Sequence, residues 1–171
     1  DGDAASAFDN RPLPIGHGQT ISQPFVVALM TELLDIRPGD KVLELGTGSG
    51  YQTVVLAALG ASVYSLEIIP QLADAAAKRL ARLGASNVHL QTAQGWDGWP
   101  SQAPFDAIIV TAAAGRVPPA LFRQLKPGGR LIVPIGEPGG HQVLMRIVKT
   151  EDGGITEERI LSVAFVPLVE D

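Results

Sequence analysis

Apolar residues follow two alternating rhythms along most of this chain. Phe25, Leu29 and Leu33, with Val26, Met30 and Leu34, recur every fourth position, which predicts a helix over 24–35. Pro24 suits its first turn, and Ser22 or Gln23 can cap it. After the turn RPGD, the run KVLELG (41–46) is short, apolar and closed by glycine, which predicts a buried strand. SGYQTVVLAALG (49–60) reads as a helix ended by Gly60, and SVYSLEI (62–68) as a second strand. PQLADAAAKRLARLG (70–84) is an amphipathic helix set between Pro70 and Gly84. NVHLQTA (87–93) and the apolar FDAIIVTAAA (105–114) are the third and fourth strands. VPPALFRQLKPGG (117–129) reads as a helix with its terminating turn, and RLIVPIG (130–136) as a fifth strand. HQVLMRIVKT (141–150) and ITEERILSVAFVPL (155–168) read as antiparallel strands around EDGG.

Strand and helix alternate through the first four strands, the signature of an α/β, doubly wound and mostly parallel sheet, here with an antiparallel tail. The 171 residues suit one domain, 1–171, in which we expect residues 1–23 to cover whatever the sheet binds. Hydrophobic residues are 46% and charged residues 18%, a balance that excludes a disordered chain. The net charge of −5, with no Lys/Arg cluster, argues against nucleic acid as a partner. No apolar run approaches a membrane span, and the acidic DGDAASAFDN lacks the features of a signal peptide. The absence of cysteine excludes disulfides and suits a cytoplasmic setting. His17, His89 and His141 are far apart and read as unrelated, so no metal site is expected.

Chemistry enters with Glu44-Leu45-Gly46-Thr47-Gly48-Ser49-Gly50, between the first strand and its helix. Glycines permit a tight turn there and let backbone approach a ligand closely, at the strand ends where open α/β sheets bind. The spacing is GxGxG rather than the GxGxxG of dinucleotide enzymes. Glu67, 21 residues after Gly46, ends the second strand, where a carboxylate can accept from both hydroxyls of a ribose. An acid such as Glu44 at the mouth of the turn would repel phosphate and suits a cationic ligand. A nucleoside cofactor is therefore expected. The segment PLPIGHGQTISQP (12–24) is too rich in turn residues for a helix and too polar for an ordinary linker. From its residues alone, Ser22 reads either as a helix cap or as a donor to a ligand.

The pattern E-x-G-x-G-x-G resembles class I S-adenosylmethionine-dependent methyltransferases. PLPIGHGQTIS, VLELGTGSGYQ, GWP, PFDAIIVTAAA, VPPAL, QLKPGGRLIVPIG and FVPL, in that order, resemble the protein-L-isoaspartate O-methyltransferase family over nearly the whole chain. The resemblance implies a Rossmann-like methyltransferase fold. It also implies methyl transfer from S-adenosyl-L-methionine, leaving S-adenosyl-L-homocysteine, to the free carboxylate of isoaspartyl residues in damaged proteins and peptides. The ester would then cyclise to a succinimide that hydrolyses partly to aspartate. Ser22 matches the family's active-site serine, and Gln19, Thr20 and Ile21 match residues lining the cofactor. With Ser22, Glu44, Gly46, Thr47, Gly48, Gly50, Glu67, Ile68, Gln94 and Gly95 complete the expected cofactor set. Pro14, Ile15, Gly16, Ala112, Ala113, Ala114 and Val166 are expected to border the peptide.

A carboxylate is ionised at neutral pH and needs no base to attack a methyl sulfonium, so donors and water exclusion are what such a site requires. Two departures stand out. The family has Gly-Asp-Gly after the third strand where this chain has Ala93-Gln94-Gly95, and glutamine can accept from an adenine amino group but brings no charge. Phe25 and Val27 stand where some members have histidines. A methyltransferase acting on another carboxylate or a small molecule, and a non-catalytic cofactor-binding domain, are the alternative readings. A monomer is expected.

Overall fold

The computed structural model describes residues 11–137 and 139–169; the expected covering role of residues 1–10 lies outside them. The chain opens with β1 (Leu13–Gly16) and β2 (Gln19–Ile21), an antiparallel hairpin pairing Leu13 with Ile21 and Pro14 with Thr20. Sequence reading saw only a turn-rich segment here. The hairpin forms because His17 and Gly18, both at positive φ (53° and 71°), supply the mirror-image turn that short hairpins prefer.

The elements that follow are α1 (Pro24–Leu34), β3 (Lys41–Leu45), α2 (Tyr51–Ala58), β4 (Ser62–Glu67), α3 (Pro70–Arg82), β5 (Val88–Thr92) and β6 (Phe105–Val110). Then come α4 (Pro119–Gln124), β7 (Leu125–Ile135), β8 (Gln142–Lys149) and β9 (Ile155–Val163). Seven strands form one sheet in the order β5-β4-β3-β6-β7-β8-β9. Neighbours from β5 to β7 are parallel, and β7-β8-β9 are antiparallel. The expected doubly wound sheet with an antiparallel tail is what forms. The strand order reverses beside β3, which places a ligand crevice at the carboxyl ends of β3, β4 and β6.

Both faces of the central strands β3 and β6 are buried, with side chains assigned by the two-residue alternation of strands. Val42, Ala107, Ile109 and Ile132 pack with Met30 and Leu34 of α1 and Leu56 of α2. Leu43, Leu45, Ile108, Val110, Leu131 and Val133 pack on the other face with Leu121 and Leu125. Among the described residues no helix is long and apolar enough to cross a membrane.

Three boundaries differ from the sequence reading. The last three alanines of FDAIIVTAAA leave the sheet, because β6 ends at Val110. The KPGG turn is absorbed into β7 as an irregularity between the Phe105–Leu125 and Ala107–Arg130 pairs. Beyond Val163 the chain departs from the ladder because the side-chain amide of Gln142 takes both backbone groups of Phe165. Its Oε1 accepts from Phe165 N at 2.6 Å, and its Nε2 donates to Phe165 O at 3.1 Å.

The carboxyl end of α1 carries no basic residue of its own, so its final carbonyls need outside donors. Arg130 Nε donates to Leu34 O at 2.6 Å and its Nη2 to Asp35 O, and Arg146 Nε donates to Leu33 O at 3.1 Å. Two sheet arginines thus fix the helix that follows Ser22. Arg130→Met is expected to lower stability by about 2 kcal/mol, the scale of hydrogen bonds to a charged group, in denaturant melts. A loss below about 0.5 kcal/mol would mean that water serves these carbonyls equally well.

Candidate functional site

The glycine turn is built from backbone amides. Gly46 N and Thr47 N both donate to Leu66 O, at 2.8 and 3.3 Å, so the turn is laced to the end of β4. Gly48 N donates to Glu67 Oε2 at 2.7 Å, and Ile69 N donates to Glu67 Oε1 at 3.0 Å. Gly46 sits at φ 93°, and a Cβ there would lie 2.4 Å from Thr111 Oγ1. That hydroxyl is 2.6 Å from Gly46 O and 2.9 Å from Leu45 O, its one proton shared between two carbonyls.

Over this turn lies a cavity of about 260 Å³. Of the expected cofactor residues, Gln19, Gly46, Gly48, Glu67, Ile68 and Gly95 line it, together with Ala112 and Val166 from the expected peptide set. Sequence reasoning did not single out Ile69, Leu72, Ala93 or Thr111, which also line it. Thr111 had a visible signal: it is the polar residue that closes an apolar strand. Pro167, Leu168 and Val169, which follow the expected peptide-side Val166, also border this first cavity.

A second cavity of about 410 Å³ is lined by Thr20, Ser22, Gln23, Phe25 and Val26 on one side and residues 161–166 on the other. Thr111 and Val166 line both cavities and are their shared wall. Ser22 is half-buried here. The cap position of α1 is Gln23, and no side chain caps the helix, so the capping role considered for Ser22 and Gln23 is not used.

Other expected site residues are placed elsewhere. Glu44 does not stand at the mouth of the turn. It alternates with Leu43 and Leu45, shares the face of Val42, and is fully buried against α2. Its Oε2 accepts from Thr53 Oγ1 and Ser65 Oγ, each at 2.6 Å. The Ser65 proton being spent, Thr47 Oγ1 donates to Ser65 Oγ at 2.6 Å. Thr47 is therefore buried in a network beneath the turn rather than facing a cavity. Gly50 is the left-handed cap of α2, packed over Ala76 and Leu80. Ile21 and the exposed Gln94 line neither cavity. Neither do Pro14, Ile15 and Gly16 in the hairpin, although Ile15 Cδ1 lies 3.3 Å from where a Gly48 Cβ would stand. Ala113 and Ala114 are buried, bridging to Pro167 and Ile135.

A family model described as protein-L-isoaspartate(D-aspartate) O-methyltransferase matches residues 3–171. Protein-L-isoaspartate O-methyltransferase 2 of Syntrophobacter fumaroxidans is 58% identical over 164 residues, 96% of this chain and 66% of that protein. Protein-L-isoaspartate O-methyltransferase 1 of Nitrosospira multiformis is 58% identical over 162 residues, 95% of this chain and 69% of its own length. The chain thus spans about two thirds of these relatives. A Plasmodium falciparum chain described as a protein-L-isoaspartate O-methyltransferase, crystallised with S-adenosyl-L-homocysteine, superposes with TM-score 0.84 at 30% identity. That match covers 95% of this chain and 81% of the other.

Burial pushes the Glu44 carboxyl up from its ordinary 4.5 to about 7, outweighing the Ser65 and Thr53 hydrogen bonds that favour the anion; the nearby Glu67 charge adds to the rise. Its Oε1 has no partner among the described residues. A carboxyl raised by folding keeps its proton after the unfolded chain has lost it. Its contribution therefore falls as pH rises from 4.5 through 7, by about 3 kcal/mol in all. Glu44→Gln removes that titration, so denaturant melts at about pH 5 and pH 8 should differ less for the variant than for the native protein. Parallel profiles would show that Glu44 ionises as freely folded as unfolded.

Proposed function

The chain belongs to the protein-L-isoaspartate(D-aspartate) O-methyltransferase family, and from that premise we propose that it methylates the free carboxylate of L-isoaspartyl residues in damaged proteins and peptides. The methyl donor in this reading is S-adenosyl-L-methionine, which supplies an electrophilic sulfonium methyl and leaves as S-adenosyl-L-homocysteine. The observation that carries the reading is the pair of cavities meeting at Thr111 and Val166, one over the glycine turn and one beside Ser22.

The first cavity suits a nucleoside. Each oxygen of Glu67 holds one backbone amide, and a carboxylate has about four acceptor sites, so two are left for vicinal hydroxyls. Ile68, Ile69 and Leu72 give an apolar surface beside it. The second cavity suits an anionic nucleophile that must stay reactive. Its lining has hydroxyls at Thr20 and Ser22 that can donate, a further hydroxyl at Ser162, that of Thr111 with its proton already committed to Leu45 O and Gly46 O, and no charged side chain. Hydroxyls orient a carboxylate without neutralising it, whereas a paired lysine or arginine would lower its nucleophilicity. Covering by the hairpin and the 161–168 segment excludes water from the transfer. The ester formed would lose methanol as the neighbouring backbone nitrogen closes a succinimide. The reading takes residues 1–171 as one domain, acting as a cytoplasmic monomer without nucleic acid.

Glu67→Ala should weaken binding of S-adenosyl-L-homocysteine by about 1–3 kcal/mol in calorimetric titration, the scale of leaving two hydroxyls without an ionised acceptor. Unchanged affinity would remove Glu67 from the ribose. Transfer itself is read by incubating the protein with methyl-labelled cofactor and a matched isoaspartyl and aspartyl peptide pair. Label is expected on the isoaspartyl peptide alone; label on neither, or on both equally, overturns the reading. In the same assay Ser22→Ala should lose at least about tenfold in turnover. Because no side chain caps α1, its melting stability should change by no more than about 0.5 kcal/mol. Native turnover in that folded variant would return Ser22 to a passive place in the wall.

A further inference from the structure

We propose that the apolar part of the second cavity is a subsite that selects the residue flanking the isoaspartyl group, with Phe25 as its exposed edge. This inference rests on the isoaspartyl reading above. The cavity of about 410 Å³ is larger than a carboxylate needs, and its lining is divided. Thr20, Ser22, Gln23, Thr111 and Ser162 supply the polar groups, while Phe25, Val26, Leu161, Val163 and Phe165 supply apolar surface. Val26, Leu161, Val163 and Phe165 rest on the core cluster below, so the apolar part has a firm floor.

Phe25 is different. The buried stripe of α1 is Val27, Met30, Thr31 and Leu34. Phe25 precedes Val27 by two residues, about 200° around the helix, so the core does not hold it. It is 56% exposed. A single exposed aromatic is common and by itself means little. This one stands at the lip of a cavity whose floor is already apolar. A leucine or phenylalanine side chain next to the isoaspartyl residue would bury surface between Phe25 and that floor. An aspartate or lysine in the same place would be dehydrated with no charged partner, since none lines the cavity.

The test uses isoaspartyl peptides identical except at the residue before or after the isoaspartyl group, which is leucine, phenylalanine, serine or aspartate. For the native protein, kcat/KM should favour leucine or phenylalanine over aspartate by at least about tenfold on one of the two sides, the scale of discrimination by an apolar pocket. Phe25→Ala should reduce that ratio several-fold, chiefly through KM, and Phe25→Leu should restore most of it. Melting curves confirm that the variants are folded. Equal rates across the panel overturn the subsite while leaving the isoaspartyl activity standing, as does a ratio that survives Phe25→Ala. Failure to methylate every isoaspartyl peptide overturns the activity and the subsite with it.

Discussion

The hydroxyl of Thr111 is where sheet, glycine turn and cavities meet. Its proton is shared between Leu45 O and Gly46 O, at 2.9 and 2.6 Å, joining the end of β6 to the last residues of β3 across the point where strand order reverses. That contact explains why Gly46 has no side chain: a Cβ would fall 2.4 Å from the hydroxyl oxygen. It also fixes the wall between the two cavities, because Thr111 faces both.

Beneath the turn the constraint is electrostatic. The buried Glu44 carboxyl takes hydrogen bonds from Ser65 and Thr53, and Ser65 in turn accepts from Thr47. Three hydroxyls and one acid thus join β3, β4, α2 and the glycine turn into one unit. A buried anion is costly and a buried neutral acid much less so, and here burial dominates, which is why the group holds its proton to about 7. Glu67, at the end of the neighbouring strand, is treated differently. Both of its oxygens meet backbone amides at the lip of the first cavity, so its charge is solvated by the turn itself. Two glutamates at two adjacent strand ends are therefore held in two ways, one sealed beneath the turn and one at the lip of the first cavity.

The sheet was legible because its strands are apolar runs bounded by glycine and proline, and α1 to α3 because their apolar residues recur at helical spacing. The alanines after Val110 were not, since an apolar residue bridging in a loop looks the same in sequence as one in a strand. The PLPIG segment concealed its hairpin, because two prolines and two glycines signal a turn whatever lies beside them. The glycine turn and Glu67 were placed where the sequence put them. Glu44 was not, and the reason is physical. β3 is buried on both faces, so no polar alternation betrays which way a given side chain points. Phe25 was noticed only as a departure from the pattern of relatives; its place at a cavity rim depends on β9 arriving from the far end of the chain.

The hairpin shows how short segments divide the space above a rigid sheet. Successive residues of a strand point to opposite sides. In β2 this sends Gln19 to the first cavity and Thr20 to the second, so the strand is a partition as much as a cover. Below it the partition is completed by Thr111 and Val166, residues 55 positions apart in the chain. Val166 is held there because its carbonyl accepts from Ala113 N at 2.8 Å. Gln142 makes that possible by pulling Phe165 off the β9 ladder. The wall between the cavities is therefore set by three segments, each held in a different way. A hydroxyl holds Thr111, a side-chain amide turns the 164–168 segment inward, and a mirror-image turn aims β2. Precision at the junction comes from these anchors rather than from the segments themselves, which are too short to hold a shape alone.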